Sequence, residues 1–294
     1  MLVALESKWN RAYMPPMTNA ATDHIEFHKM HGLGNDFVVM DARLRPVAMG
    51  VALAQALADR HRGIGFDQLA VIEATDDTDG HLVFYNADGS LSAACGNATR
   101  CIARHIMQET GKSAVTLTTE RGRLAAVDAG DGQTSVNMGH PLLEWQDIPL
   151  AKAMDTVALP IEGTPTATGM GNPHCTFFVK DAEAVDLADE GPRYEHHPLF
   201  PERTNVQFAH VIGPDHLRMR VWERGTGITL ASGSSSCATA VAAARRGLTG
   251  RKVKIDLDGG QILIDWRKDG VWMTGPTMHV ASGTLTPQFL ESLK

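Results

Sequence analysis

Apolar positions in this chain come in short runs rather than long stripes. Residues 37–40, 69–72, 82–85, 115–118 and 253–257 are such runs, bounded by Gly, Asp or Asn. Runs of that length and punctuation read as strands joined by tight turns. Asp131-Gly132, between residues 125–127 and 135–138, signals a hairpin, and Asp269-Gly270 repeats the signal. Three longer stretches predict helices. Residues 51–60 are Ala/Leu-rich and close near Gly63; residues 97–110 stop at Gly111, a left-handed cap. Residues 234–246 stop at Gly247, and Ala238, Ala240, Ala242, Ala243 and Ala244 with few polar neighbours predict burial nearly all round. One buried helix per half among many short strands predicts an α+β fold. Each half is then a curved, mostly antiparallel sheet wrapped around a central helix.

The pattern is written twice. Shifted by 137 positions, His31-Gly32-Leu33-Gly34-Asn35 falls on Thr168-Gly169-Met170-Gly171-Asn172, and Phe66-Asp67-Gln68 on Arg203-Thr204-Asn205. Val83-Phe84-Tyr85-Asn86 falls on Arg220-Val221-Trp222-Glu223, and Ala94-Cys95-Gly96-Asn97 on Ala231-Ser232-Gly233-Ser234. A duplicated chain builds two pseudo-symmetric domains facing one cleft, which presents matched groups to opposite sides of a ligand. The expected halves are 24–141, completed by the C-terminal segment 280–294, and 142–279, with 1–23 a flexible N-terminal arm.

Composition narrows the function. At 294 residues there is room for two cores, and 43% apolar with 21% charged residues is globular. A net charge of -7 without Lys/Arg runs argues against a nucleic-acid surface. No apolar run approaches a membrane span, and the arm lacks the apolar centre of a secretory signal. The four cysteines, Cys95, Cys101, Cys175 and Cys237, have no Cys-x-x-Cys spacing and point to a reducing, cytoplasmic setting.

Candidate chemistry sits at the repeated positions. Cys95 stands where a helix starts, and free N–H groups and the helix dipole there favour a thiolate of lowered pKa. An isolated cysteine is more often a small core residue, as Cys101, Cys175 and Cys237 are expected to be, but the repeat singles Cys95 out. Gly96 admits close backbone approach to a ligand; with Asn97, and with Gly233 and Ser234 in the second half, it forms anion cradles suited to a carboxylate. Asn35, Gln68, Asn86, Asn172 and Asn205 are neutral groups able to hold ammonium and carboxylate. Arg224 can grip a carboxylate, and Glu223 can take an ammonium. His174 can tune an acid or base. No His/Cys/Asp set has metal spacing, and neither a dinucleotide fingerprint nor a nucleotide phosphate loop is present.

With these motifs in view, the chain resembles the diaminopimelate epimerases. The matches are His31-Gly32-Leu33-Gly34-Asn35-Asp36-Phe37, Gly65-Phe66-Asp67-Gln68, Asn86-Ala87-Asp88-Gly89-Ser90 and Cys95-Gly96-Asn97. They continue with Gly171-Asn172-Pro173-His174, Asn205-Val206 and Glu223-Arg224-Gly225, so the resemblance runs from about His24 to the C-terminus. It implies a homodimeric, cofactor-independent enzyme interconverting LL- and meso-diaminopimelate for lysine and peptidoglycan precursors. One cysteine from each domain then flanks the α-carbon, one removing a proton and the other delivering one to the opposite face. Carried over by position, Cys95 and residue 232 are the catalytic pair, with His174 and Glu223 tuning them. Asn35, Gln68, Asn86, Gly96, Asn97, Asn172, Asn205, Glu223, Arg224, Gly233 and Ser234 bind substrate.

The departure is Ser232, where the family places its second cysteine. A serine hydroxyl is a far weaker acid than a thiol and makes a poor base, so activity is expected to be strongly impaired. Every other position of the set is kept, and the near-isosteric swap reads as a deliberate change rather than decay. Two alternatives accompany this reading. One is a proline-type racemase or dehydratase on the same scaffold; the other is an inactive homologue that only binds ligand.

Overall fold

The computed structural model of the chain describes residues 25–92 and 95–294. The expected arm, 1–23, and Ala94 lie outside the described residues. The first half runs β1 (Glu26–Gly32), β2 (Asn35–Asp41), α1 (Val51–Ala58), β3 (Gln68–Glu73), β4 (Gly80–Asn86) and β5 (Leu91–Ser92). It continues with α2 (Gly96–Thr110), β6 (Ala114–Thr119), β7 (Gly122–Gly130) and β8 (Gln133–Asn137). The second half answers with β9 (Thr166–Gly169), β10 (Pro173–Phe178), α3 (Leu187–Glu195), β11 (Asn205–Gly213), β12 (His216–Glu223) and β13 (Gly227–Ile228). Then follow α4 (Gly233–Arg245), β14 (Lys252–Leu257), β15 (Gly260–Arg267) and β16 (Gly270–Pro276), with β17 (Met278–Thr284) and α5 (Pro287–Glu291) closing the chain.

The repeat holds in pairing as well as in sequence. In the first half β1–β2, β3–β4, β6–β7 and β7–β8 are antiparallel, while β2–β3 and β4–β6 are parallel. The second half has the same order of pairings, with β10–β11 and β12–β14 parallel. Register moves with it: Phe37 faces Gln68 as His174 faces Asn205, and Tyr85 faces Leu91 as Trp222 faces Ile228. β8 pairs with β16, joining the two halves, and β17 returns to pair with β1.

β2, β3, β10 and β11 are covered on both faces, which is why their apolar runs are near-continuous, whereas β6 and β14 alternate. Phe37 and Val39 pack with Ala98, Ile102 and Ile106 of α2; Val38 and Met40 pack with Leu57 of α1. In the second half Val221, Val253, Ile255 and Ile264 surround Cys237, Ala238, Val241 and Ala243 of α4. The alanine side chains let α4 lie close against its sheet.

Helix ends follow the expectations within two residues. Gly111 caps α2 in the left-handed region (φ 69°), and Gly247 follows α4 at φ 68°. α1 stops at Ala58, and its last turn is closed by Gly65 N–H donating to Leu57 O. Asp131 and Gly132 (φ 49° and 74°) form the expected hairpin turn. The second hairpin differs: Lys268 and Asp269 make the turn, and Gly270 already opens β16 opposite Arg267. A Cβ there would lie 2.4 Å from Asn137 Oδ1, so Gly270 serves the seam between halves.

α3 is absent from the sequence reading because Gly191-Pro192 looks like a break. It forms because the Asp186 side chain accepts from Ala188 and Asp189 N–H, and Tyr194 packs against Phe177 and Phe208.

Overpacking α4 tests how tightly the sheet grips it. Ala243→Leu should cost about 1–3 kcal/mol and lower the midpoint of thermal unfolding by several degrees. An unchanged midpoint would mean that α4 is loosely held.

Candidate active site

α2 and α4 start at equivalent residues and meet end to end. Cys95 (φ -141°, ψ 105°) and Ser232 (φ -134°, ψ 120°) are their extended N-caps. Both starts pack on one side chain. A Cβ built on Gly96 would lie 3.0 Å from Met273 Cε, and one on Gly233 would lie 2.9 Å from Met273 Sδ. A side chain at either position would displace the end of the methionine. The Cα of Gly96 faces Met138 and Met273, and its neighbours Cys95 and Asn97 line the cavity.

A cavity of about 330 Å³ opens between these helix starts. From the first half it is lined by Asn35, Gln68, Asn86, Cys95 and Asn97; from the second by Asn172, Asn205, Glu223, Arg224, Ser232, Gly233 and Ser234. His174 is fully buried and stands behind the wall, its Nε2 lying 2.9 Å from Asn172 Oδ1. Asp67, Leu91, Ser92, Thr226 and Thr229 also line the cavity and were not anticipated. The repeat could have found two of them, since Ser92 and Thr229 are again 137 apart.

The amides form chains rather than isolated donors. Asn97 Nδ2 donates to Asn35 Oδ1 (3.2 Å), and Asn35 Nδ2 donates to Asp67 Oδ2 (2.8 Å). Gln68 Nε2 donates to Asn86 Oδ1 (3.2 Å). Asn205 ties the wall together: its Nδ2 donates to Pro173 O (2.9 Å), and its Oδ1 accepts from Arg224 N–H (3.0 Å).

The two N-caps behave differently. Cys95 Sγ caps its own helix, accepting from Ala98 N–H at 3.5 Å. Ser232 Oγ turns away to Glu223 Oε2 (2.8 Å) and Ser235 Oγ (2.9 Å), while Thr229 Oγ1 donates to Glu223 Oε1 (2.7 Å). Behind Ser235 the network continues inward. Gln207 Nε2 lies 3.0 Å from Ser235 Oγ and 3.1 Å from His174 Nδ1, and Thr176 Oγ1 donates to Gln207 Oε1.

Burial sets the protonation states. It pushes the Cys95 thiol up to about 12, against the opposing Ala98 N–H, and the Glu223 charge adds to the rise. The sequence-based expectation of a lowered thiol pKa is thus overturned, because exclusion of water outweighs the helix start. Burial also raises the Glu223 carboxyl, opposed by the Thr229 and Ser232 hydroxyls. The same cause takes His174 down to about 3, keeping the imidazole neutral, with Arg121 and Arg224 adding to the effect.

Away from the cavity, Asp41, His105 and Glu109 bring potential metal-ligand atoms within 4.8 Å of one another, a grouping that sequence spacing did not reveal. Arg43 Nη2 lies 2.5 Å from both carboxylates, so a guanidinium already supplies the positive charge there.

The sequence profile described as diaminopimelate epimerase matches residues 27–143 and 166–280. The diaminopimelate epimerase of Rhodospirillum centenum is 53% identical over 271 residues, covering 90% of this chain and 93% of that one. That of Acidiphilium cryptum is 49% identical over 270 residues, covering 90% and 97%. Two distant structures share the fold. A hydroxyproline epimerase from Agrobacterium vitis superposes with a TM-score of 0.64 at 14% identity, covering 91% of this chain and 95% of that one. A phenazine biosynthesis protein of the PhzF family from Bacillus anthracis gives 0.65 at 13% identity, covering 90% and 100%. On sequence, duplicated topology and cavity together, the chain belongs to the diaminopimelate epimerase family of isomerases.

Proposed function

We propose that this chain binds diaminopimelate and inverts its α-carbon by proton transfer without a cofactor. Cys95 serves one face, and Ser232 stands weakly armed on the other. The observation that carries this reading is the equivalence of Cys95 and Ser232, N-caps of repeat-related helices opening on one polar cavity. In this reading the helix starts hold the α-carboxylate, and their dipoles meet the charge that develops on deprotonation. Glu223 takes an ammonium and Arg224 a carboxylate of the substrate. Neutral His174 holds Asn172 through its Nε2–H. Family resemblance extends the reading to a cytoplasmic homodimer.

Ser232 changes the balance between the faces. Its hydroxyl lies against the Glu223 carboxylate, where its proton is already bonded. Removal of a proton by Cys95 and its return by Cys95 regenerate the starting isomer, so exchange with solvent survives better than inversion.

Ser232→Cys should raise epimerisation by about 10²–10⁴-fold, the usual contribution of a placed acid or base. Measured beside it, deuterium uptake at the α-carbon by the unsubstituted chain should outrun stereochemical turnover. Turnover as fast as uptake would show Ser232 to be competent, and a cysteine variant still inert toward diaminopimelate would overturn the assignment.

A second test concerns His174. Its ordinary value is 6.5, and in the fold it falls to about 3. Between those values the unfolded chain binds the proton and the folded chain does not, so stability is lost as pH drops below 6.5. His174→Gln should remove up to about 1.4 kcal/mol per pH unit of that slope. Denaturant unfolding at pH 7 and pH 5 measures it, and parallel slopes in the two proteins would place a proton on His174 in the fold.

A further inference from the structure

Arg100 is a fully buried cation in the first turns of α2. A guanidinium keeps its charge inside proteins, and leaving that charge unpaired is costly. Among the described residues no carboxylate forms an ion pair with it. Nη1 donates to Asn97 Oδ1 (3.1 Å), Nε donates to Pro276 O (3.3 Å), and Nη2 has no partner. The fold makes room for the group where the halves meet. A Cβ on Gly32 would lie 2.8 Å from Nη2, and one on Gly275 would lie 3.4 Å from Cζ. The repeat does not require this cation, because the residue 137 further on is Cys237.

What the charge touches is the cavity wall. Asn97 lines the cavity, and its Oδ1 is 3.4 Å from where a Cβ on Gly233 would stand, so it lies between the two helix starts. By holding Oδ1, Arg100 fixes which way the amide points, and Nδ2 is left to face Asn35. A donor bonded to that carbonyl also polarises the amide and strengthens its N–H groups as donors. Without Arg100 the amide can turn over and present a carbonyl oxygen to an anion.

We propose that Arg100 is a positioning residue whose buried charge, passed on through the Asn97 amide, stabilises the anions formed at the helix starts. Those anions are the Cys95 thiolate and, resting on the function proposed above, the substrate α-carboxylate. The free protein carries the cation without its counter-ion, and the site is built to be completed by negative charge. Arg100 thereby offsets part of the desolvation that holds the Cys95 thiol protonated.

The thiolate half is testable without substrate. Cys95 faces the cavity, whereas Cys101, Cys175 and Cys237 are buried, so iodoacetamide alkylation followed by peptide mass reports on Cys95. Arg100→Met and Arg100→Gln should slow it about tenfold at pH 9, the effect of one unit in thiol pKa. Arg100→Lys should restore part of the rate. The neutral variants should unfold no earlier than the parent on heating, because an unpaired buried charge has been removed. A folded neutral variant with an unchanged alkylation profile overturns the proposal, and so does failure of both neutral variants to fold. In the Ser232→Cys background, Arg100→Met should also weaken diaminopimelate binding. If that background shows no epimerisation while alkylation still slows, the assigned reaction fails and the role of the charge stands.

Discussion

Two helix starts aimed at one point are the constraint on which this molecule depends. Each brings free backbone N–H groups and the positive end of its dipole, and like ends repel unless something holds them together. The β8–β16 seam does so. It carries Met273 between Gly96 and Gly233, and the absence of Cβ at both glycines allows the close approach. The apolar faces of α2 and the alanines of α4 then lock each helix in its own sheet. Glu223 on the wall already meets the start of α4 through the Ser232 hydroxyl (2.8 Å), and in the proposed function a ligand carboxylate meets the rest of that potential.

Duplication supplies the frame, and departures from it supply the chemistry. Asn86 in the first half is Glu223 in the second; Arg100 is Cys237; Cys95 is Ser232. The first half thus contributes the buried cation and the thiol, and the second a half-buried carboxylate and a hydroxyl. An amino acid is itself such a dipole, an ammonium beside a carboxylate. A strictly symmetric cavity could not orient it, whereas this one can.

Much of this was legible in the chain because it rests on spacing. A shift of 137 residues located the helix starts, the wall amides and even the strand register, since duplicated sequence folds into duplicated pairing. What could not be read is burial of polar groups. Gln207 sits in an ordinary apolar strand between Val206 and Phe208, and Arg100 looks like a solvent-facing helix residue, yet both are fully buried. The same blindness misjudged the ionisation of the thiol. A helix start can be recognised from Cys95-Gly96, but the exclusion of water that dominates its ionisation comes from residues scattered over both halves.

The high resting thiol pKa sharpens the demand on the substrate. In the proposed function a neutral Cys95 cannot remove a proton, so its thiolate has to be reached as the site fills. Glu223 is the nearest lever, since its charge raises the Cys95 thiol and its carboxyl faces the cavity. An ammonium docked on Glu223 cancels that repulsion and brings the thiolate nearer in energy. A carboxylate at the helix starts works in the opposite sense, and there the proposed role of Arg100, with the two dipoles, is to hold the balance. On the proposed reading, ionisation of Cys95 is thereby coupled to the presence of both charged groups of an amino acid.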